Sequence, residues 1–208
     1  MEIKIRKATR EDSQFIAETI LQSESTNNEV VTFSRMFGFD KTTMLSTFSR
    51  VVDNETNGHP LTFKTYFIAE LDGNRCGALS AYIEGENGDS NIQMANCMMS
   101  VIDRKTVMKG FMFSKKNSET IIPKSKGSLQ IDCVATKAEF RGKGVFKALF
   151  QYACEDFTNL RSKSIEVQVW KNNPAIEVYK KVGFSVKKEY PSKTSIGMAK
   201  ILLAKVYK

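Results

Sequence analysis

The run Arg141-Gly142-Lys143-Gly144 carries the most distinctive chemistry in the chain. A stretch with strand character, "LQIDCVAT" (129–136), leads into it. An amphipathic helix from about Val145 to Phe157 follows at once, with Val145, Ala148, Leu149, Tyr152 and Ala153 on one side. Helices usually open on Ser, Thr, Asp or Asn, whose side chains cap the free N–H groups. Here two glycines leave the main chain bare and two cations add charge. The first N–H groups of a helix lack internal partners and carry about half a positive charge, and glycine lets a ligand approach them closely. Together these features suit a pyrophosphate. A tight strand-to-helix turn with a charged surface would use the same four residues.

Two familiar phosphate loops do not fit. A Walker loop needs Gly five residues before its Gly-Lys pair and Ser or Thr after it, where Lys137 and Gly144 stand. A dinucleotide fingerprint needs a third glycine after Gly142 and Gly144, where Lys147 stands. Other chemistry is scarce. The chain has one histidine, His59, in the turn-like "NETNGHPL", where a structural or surface role is expected. That nearly excludes histidine-rich metal sites and leaves only His59 for a Ser-His-Asp triad. The four cysteines, Cys76, Cys97, Cys133 and Cys154, form no C-x-x-C pair and read as reduced, mostly buried thiols. The nine methionines cluster partly in "NIQMANCMMSVIDRKTVMKGF", as core filler or as the lining of a loose pocket.

These residues need a scaffold. The 208 residues, 41% hydrophobic and 26% charged, fit one domain spanning 1–208 with a real core. "EIKIRKA" alternates as a first strand, and "TREDSQFIAETILQ" follows as a helix capped by Thr9 with Asp12 three residues on. "DKTTMLSTFSRVVDN" is helical in its spacing, and the joins around it within 25–62 are unassigned. "LTFKTYFIAELDGNRCGALSAYIEGE" reads as a hairpin turning at Asp72-Gly73-Asn74. One or two helices fall in 86–127. "SIEVQVW" is a strand, and "NPAIEVYKKVG" is a short helix with Asn173 as cap, Pro174 at its first position and Gly183 at its end. Strands at "FSVKKEY" and "GMAKILLAKV" close an α/β chain with a mixed sheet.

The net charge of +8 fits a polyanionic ligand such as a nucleotide once the glycine turn is added. No basic block or aromatic-interleaved basic motif supports nucleic-acid binding. No run approaches the ~20 apolar residues of a membrane span. The start, "MEIKIRKATREDSQF", lacks the apolar middle of a secretory signal, so a cytoplasmic location is expected.

The helix mouth resembles the signature Gln/Arg-x-x-Gly-x-Gly/Ala of the GNAT superfamily of acyl-CoA-dependent N-acetyltransferases. "RGKGVF" supplies Arg141 and Gly144, and Phe146 stands in the last, usually small, place. "NNPAIEVYKKVGF" is similar to the family's second block, with Asn172, Ala175, Tyr179, Gly183 and Phe184 in matching places. "IKIRKATREDSQFIAE" and "FIAELDGNRCGALSAYI" resemble its first strand and helix and its central hairpin. About half the chain is covered; residues 25–62 and 86–127 are not.

The resemblance implies a GNAT fold: a mostly antiparallel sheet of about seven strands flanked by helices, with a splayed parallel pair holding CoA. That pair would be "LQIDCVAT" and "SIEVQVW". It implies transfer of an acetyl group from acetyl-CoA directly to a primary amine, with no metal. Val134, Ala135 and Thr136 would meet the pantetheine arm, and Val134 or a neighbour would polarise the thioester carbonyl. Arg141, Gly142, Lys143, Gly144, Val145, Phe146 and Lys147 would hold the pyrophosphate, the Phe146 side chain rotating away. Asn172 would contact the cofactor arm, or serve only as a turn residue. Tyr179 would point its hydroxyl at the sulfur. Asp132 falls where some members place a proton acceptor; Glu70 and Glu84 are the other candidates. The acceptor would be a small-molecule or protein amine, and a homodimer is left open. A sensing module that binds acyl-CoA without catalysis, or a transferase on this fold using another acyl donor, are the alternative readings.

Overall fold

The computed structural model describes residues 2–25, 32–86, 90–116, 122–157, 164–191 and 199–206. Each element begins from a local signal. Strand β1 (Ile3–Lys7) alternates between half-buried and exposed positions. A single 3-10 turn at Arg10–Asp12 then leads into α1 (Ser13–Ser23). The Thr9 main-chain N–H donates to Asp12 Oδ2 at 2.8 Å, so the pair expected to cap the helix does so one turn earlier. Short α2 (Thr32–Phe37) precedes α3 (Lys41–Asp53), which opens on Asp40 accepting from the Thr43 N–H.

Strands β2 (Tyr66–Leu71) and β3 (Asn74–Ile83) form the expected hairpin. Its two-residue turn has Asp72 at φ +51° and Gly73 at φ +78°, the pair of positive φ values that suits the twist of a tight hairpin. The segment 86–127 contains two helices, α4 (Asn91–Val101) and α5 (Arg104–Lys116). Then come β4 (Leu129–Thr136), α6 (Val145–Asp156), β5 (Ser164–Trp170), α7 (Ala175–Lys181), β6 (Ser185–Tyr190) and β7 (Lys200–Val206). The expected start of the last strand, at Gly197, lies outside the described residues.

The seven strands form one sheet in the order β1-β2-β3-β4-β5-β7-β6. Every neighbouring pair is antiparallel except β4 with β5. One face buries Leu79, Leu129, Ile131 and Val167 against Leu149 and Ala153 of α6 and Ile176 and Tyr179 of α7. The other buries Ile68 and Ala78 against Ile16 and Ile20 of α1 and Phe48 of α3. Helix α6 sits close on β3 because Gly77 has no side chain. A Cβ there would lie 2.8 Å from Val145 Cγ1 and 3.0 Å from the Ala135 carbonyl. Among the described residues no helix is long and apolar enough to cross a membrane.

Candidate active site

Two irregularities in the centre of the sheet make the site. Strand β4 pairs with β5 only through Leu129–Ile165, Gln130–Glu166 and Ile131–Val167. Beyond Ile131 the two strands have no ladder between them, so the β5-facing edge of β4 is open. On its other edge β4 pairs with β3, and the register breaks between Ala78 and Ser80: Ala135 faces Ala78, whereas Asp132 faces Ser80. Cys133 and Val134 thus stand opposite Leu79 alone, which is a β-bulge. Cys133 takes φ +43°, a left-handed conformation that a cysteine adopts only under constraint from both sides.

A cavity of about 490 Å³ occupies the resulting gap. Its walls are β4 from Ile131 to Thr136, β5 from Val167 to Trp170, the start of α7, and Gln22 to Ser25 at the end of α1. Of the residues expected at the site, Asp132, Val134, Ala135, Thr136, Arg141, Phe146, Asn172 and Tyr179 all line it. Gly142, Lys143, Gly144 and Lys147 lie at the adjoining helix mouth and are exposed. Val145 differs: its side chain is buried in the core beside Gly77, so only its main chain is free to act at that mouth.

The helix mouth matches its expected form. Gly144 stands at the N-cap of α6 at φ +82° and provides no side-chain cap. Gly142 is at φ +75°, and a Cβ on either glycine would meet no heavy atom within 4 Å. The first intrahelical bond runs from the Ala148 N–H to the Gly144 carbonyl at 3.0 Å, which leaves the earlier N–H groups facing open space. Arg141 folds back beside this mouth, its Nε donating to the Thr136 carbonyl at 3.3 Å. The Phe146 ring does not rotate away. It packs edge-on against Tyr179 at 5.2 Å and stacks on Phe150, so it forms cavity wall. The reason is an aromatic cluster with Tyr179 and Phe184 that holds the ring more firmly than solvent would.

Tyr179 is set by α7. Asn173 accepts the Ala175 N–H at 2.9 Å, and Gly183 ends the helix at φ +97°. One turn after Ala175, the Tyr179 side chain is 5% exposed and has no hydrogen-bond partner among the described residues. Burial pushes its phenol well above the ordinary value, and the nearby Asp132 and Cys133 add to that. Asp132 is half-buried; its Oδ1 accepts the Cys133 N–H at 2.9 Å and its Oδ2 accepts the Tyr82 hydroxyl at 3.4 Å.

The alternative bases lie elsewhere. Glu70 is ion-paired to Arg6 at 2.7 Å, and neither it nor Glu84 lines the cavity. His59 is fully buried rather than at the surface, and burial pushes its pKa down, so it is neutral at pH 7. All four cysteines are buried and free. Burial pushes the Cys154 thiol up to about 11 and the Cys133 thiol well above its ordinary value, so neither is a ready thiolate. Sequence reasoning missed Gln22 to Ser25, Cys133, Trp170 and Lys200 as cavity residues. Only Lys200 carried a usable signal, as a cation in the strand next to β5.

Comparison with known proteins agrees with this geometry. The model of the acetyltransferase (GNAT) family matches residues 45–184, which takes in the 86–127 segment that the motifs leave out. A search of curated proteins finds no match. Among solved structures, an N-acetyltransferase from Staphylococcus aureus Mu50 is 18% identical, with 96% of this chain and 99% of that one covered and a TM-score of 0.67. Ard1 from Thermoplasma volcanium is 13% identical, with 100% and 99% covered and a TM-score of 0.56. YncA from Salmonella typhimurium, solved with its cofactor acetyl-CoA, is 13% identical, with 99% and 94% covered and a TM-score of 0.54. At these identities the likeness is one of fold. The family model matches well over half of the chain, and the chain belongs to the GNAT acetyltransferase family.

Proposed function

We propose that the chain transfers an acetyl group from acetyl-CoA directly to a primary amine of a small molecule or a protein. One observation carries this reading: a single cavity in the gap between parallel strands adjoins a bare, positively flanked helix mouth and brings together a carboxylate and a tyrosine hydroxyl with no partner among the described residues. Acetyl-CoA supplies an activated thioester carbonyl. The main chain at Gly142 to Lys147, with Arg141 and Lys143, would hold its pyrophosphate. The open edge of β4 at Val134, Ala135 and Thr136 would take the extended arm as a strand-like partner, with Asn172 beside it. The main chain of Val134 or a neighbour, at the bulge, would polarise the thioester carbonyl.

The acceptor's proton is the main barrier on the amine side. A lysine-like amine has pKa ~10.4, so holding it neutral at pH 7 costs about 4–5 kcal/mol. Asp132, on the cavity wall, accepts that proton directly or through water. The raised thiols of Cys133 and Cys154 support direct transfer over a cysteine-bound acyl stage.

The test is release of free thiol from acetyl-CoA with a panel of n-butylamine, benzylamine, spermidine, lysine methyl ester and a peptide with a free N-terminus. Release with at least one amine, and an acetylated product by mass, is expected. Tight acetyl-CoA binding with no release for any amine would mean a sensing module instead. Asp132→Asn lowers turnover most at low pH and less as pH rises and the amine deprotonates unaided. An equal loss at every pH would assign Asp132 a structural role.

Gly144→Glu sets a negative charge against the phosphates and raises the calorimetric Kd for acetyl-CoA tenfold or more, about 1.4 kcal/mol. Gly144 sits at φ +82°, so a side chain there also strains the backbone by roughly 1–2 kcal/mol. Gly144→Asn, which tolerates that conformation without charge, is the control. Unchanged binding in Gly144→Glu, or equal weakening in both variants, would remove the pyrophosphate from this mouth.

A further inference from the structure

Asp132 does not stand alone behind the cavity. On β3, Tyr82 lies diagonally across from it on the same face, since Ser80 faces Asp132 and Tyr82 faces Gln130. Tyr82 is 1% exposed, and among the described residues its hydroxyl meets Lys124 and Asp132. Lys124, in the loop before β4, donates from Nζ to Tyr82 Oη, and Tyr82 donates to Asp132 Oδ2 at 3.4 Å. The directions are fixed by chemistry. An ammonium has three donors and no acceptor, so Lys124 takes a lone pair of the phenol oxygen, and the phenol proton is left for the carboxylate. The 3.4 Å contact is long, as hydrogen bonds at a catalytic group often are before substrate binds.

Lys124 is itself held from the sheet. The Ser125 N–H and hydroxyl donate to Glu166 at 3.0 and 2.6 Å, and Gln168 Nε2 donates to the Ile122 carbonyl at 3.1 Å. Two residues of β5 therefore fix the loop that carries the lysine. On the cavity side, Asp132 Oδ1 is fixed by the Cys133 N–H.

We propose that Lys124 and Tyr82 are positioning residues that hold the Asp132 carboxylate in a fixed orientation, ready to accept a proton from the cavity. The proposal rests on the reading of Asp132 as the proton acceptor. Lys124 polarises the phenol, the phenol stabilises the anion, and neither touches the acceptor. No proton needs to pass along the chain, because a protonated lysine cannot take one. The other ionisable groups about Asp132 are Tyr66 from β2, Cys133 beside it and Tyr179 from α7, with Glu24 at the end of α1 acting on Cys133. All of these are neutral or negative near pH 7. The cations Arg141 and Lys200 line the same cavity, but among the described residues Arg141 bonds the Thr136 carbonyl, Lys200 lies over the Trp170 ring, and neither is joined to Asp132, so neither replaces Lys124.

The test compares Tyr82→Phe, Lys124→Met, Lys124→Arg and Lys126→Met with the parent. The first readout needs no acceptor: the protein carries 13Cγ-labelled aspartate, and its carboxyl resonances are recorded at pH 7, with Asp132→Asn assigning the signal. In Tyr82→Phe and Lys124→Met that resonance moves from its position in the parent, because the hydrogen bond to the carboxylate, or the cation that polarises it, is gone. Lys124→Arg restores the parent's behaviour, and Lys126→Met, which removes a nearby charge with no bond to Tyr82, leaves it unchanged. The second readout is thiol release from acetyl-CoA with the fastest amine of the panel. There Tyr82→Phe lowers kcat/KM through kcat rather than KM, and adding Tyr82→Phe to Asp132→Asn has no further effect. An unmoved carboxyl signal in Tyr82→Phe, or an equal shift in Lys126→Met, overturns the positioning role. If the signal moves but Asp132→Asn turns over like the parent, it is the assignment of the proton acceptor that fails.

Discussion

Tyr179→Phe lowers turnover on the order of 10²-fold, within the usual range for a group that assists proton transfer, while the affinity for acetyl-CoA and the melting temperature barely change. The substitution keeps the ring that packs against Phe146 and Phe184 and removes only the hydroxyl. That hydroxyl has no protein partner among the described residues, so its loss orphans nothing in the fold. An ordinary phenol of pKa ~10 facing a thiol of ~8.5 would already give up its proton uphill, by about 2 kcal/mol. Burial raises Tyr179 further, and so does the charge of nearby Asp132. On the proposed function, Tyr179 would therefore act first as a hydrogen-bond donor to the leaving sulfur. Its hold on the proton would loosen once Asp132 had taken the amine's proton and lost its charge, which would couple the two ends of the reaction. Turnover within twofold of the parent, with chemistry shown to limit the rate, would remove Tyr179 from that role.

The parts of the fold that local rules write were legible. The Asp72-Gly73 turn and the α6 face follow from neighbours in sequence and are where they were expected, and the Asn173-Pro174 helix start is one residue later than expected, with Pro174 at the N-cap and Ala175 first in the helix. The pieces that tertiary contacts write were not. Helix α2 is only six residues long, and its Phe37 ring packs where Gly110 of α5 has no side chain, a fit that neither segment announces alone. The first half of the expected β2 run is instead a 3-10 turn at Phe63–Thr65, with the Thr65 hydroxyl on the Pro60 and Thr62 carbonyls. The insertion of β7 between β5 and β6 is likewise non-local.

The site divides in the same way. The place of Arg141 to Gly144 at a helix mouth could be read from residue types and spacing, and that of Tyr179 beside the gap from the family resemblance alone. The bulge could not. "LQIDCVAT" gives no hint that Cys133 turns left-handed, since the break is imposed by the register with Ala78 and Ser80. Tyr82 and Lys124 are invisible for a related reason: they lie 50 and 8 positions from Asp132, on a strand and a loop whose meeting only the folded sheet arranges.

Glu166→Gln destabilises the protein by about 3 kcal/mol, and at this chain length that lowers the melting temperature by roughly 6–12 °C. Glu166 is completely buried on β5, opposite Gln130 at the paired end of the parallel strands. Its carboxylate collects donors only: the Ser125 N–H at 3.0 Å, the Ser125 hydroxyl at 2.6 Å, Gln130 Nε2 at 3.1 Å and Lys187 Nζ at 3.0 Å. Burial pushes the carboxyl up, and the bonds from Ser125, Lys187 and Gln130 outweigh it, holding it at about 2 against an ordinary 4.5. A folded-state value below the unfolded one means that the stabilisation is complete above about pH 4.5 and is lost as pH falls toward 2. An amide keeps the shape but turns an NH2 toward donors, so the cost exceeds that of a lost charge alone. The parent's melting temperature should fall between pH 4.5 and 2 more steeply than the variant's, and the two should converge at the acid end. Curves that stay parallel over that range would mean that Glu166 contributes by packing and not by its charge. The same variant reaches the site, because Ser125 is the anchor of the loop that carries Lys124. Glu166→Gln should therefore also lower kcat at temperatures where the protein is fully folded, in the direction of Lys124→Met and by a smaller amount.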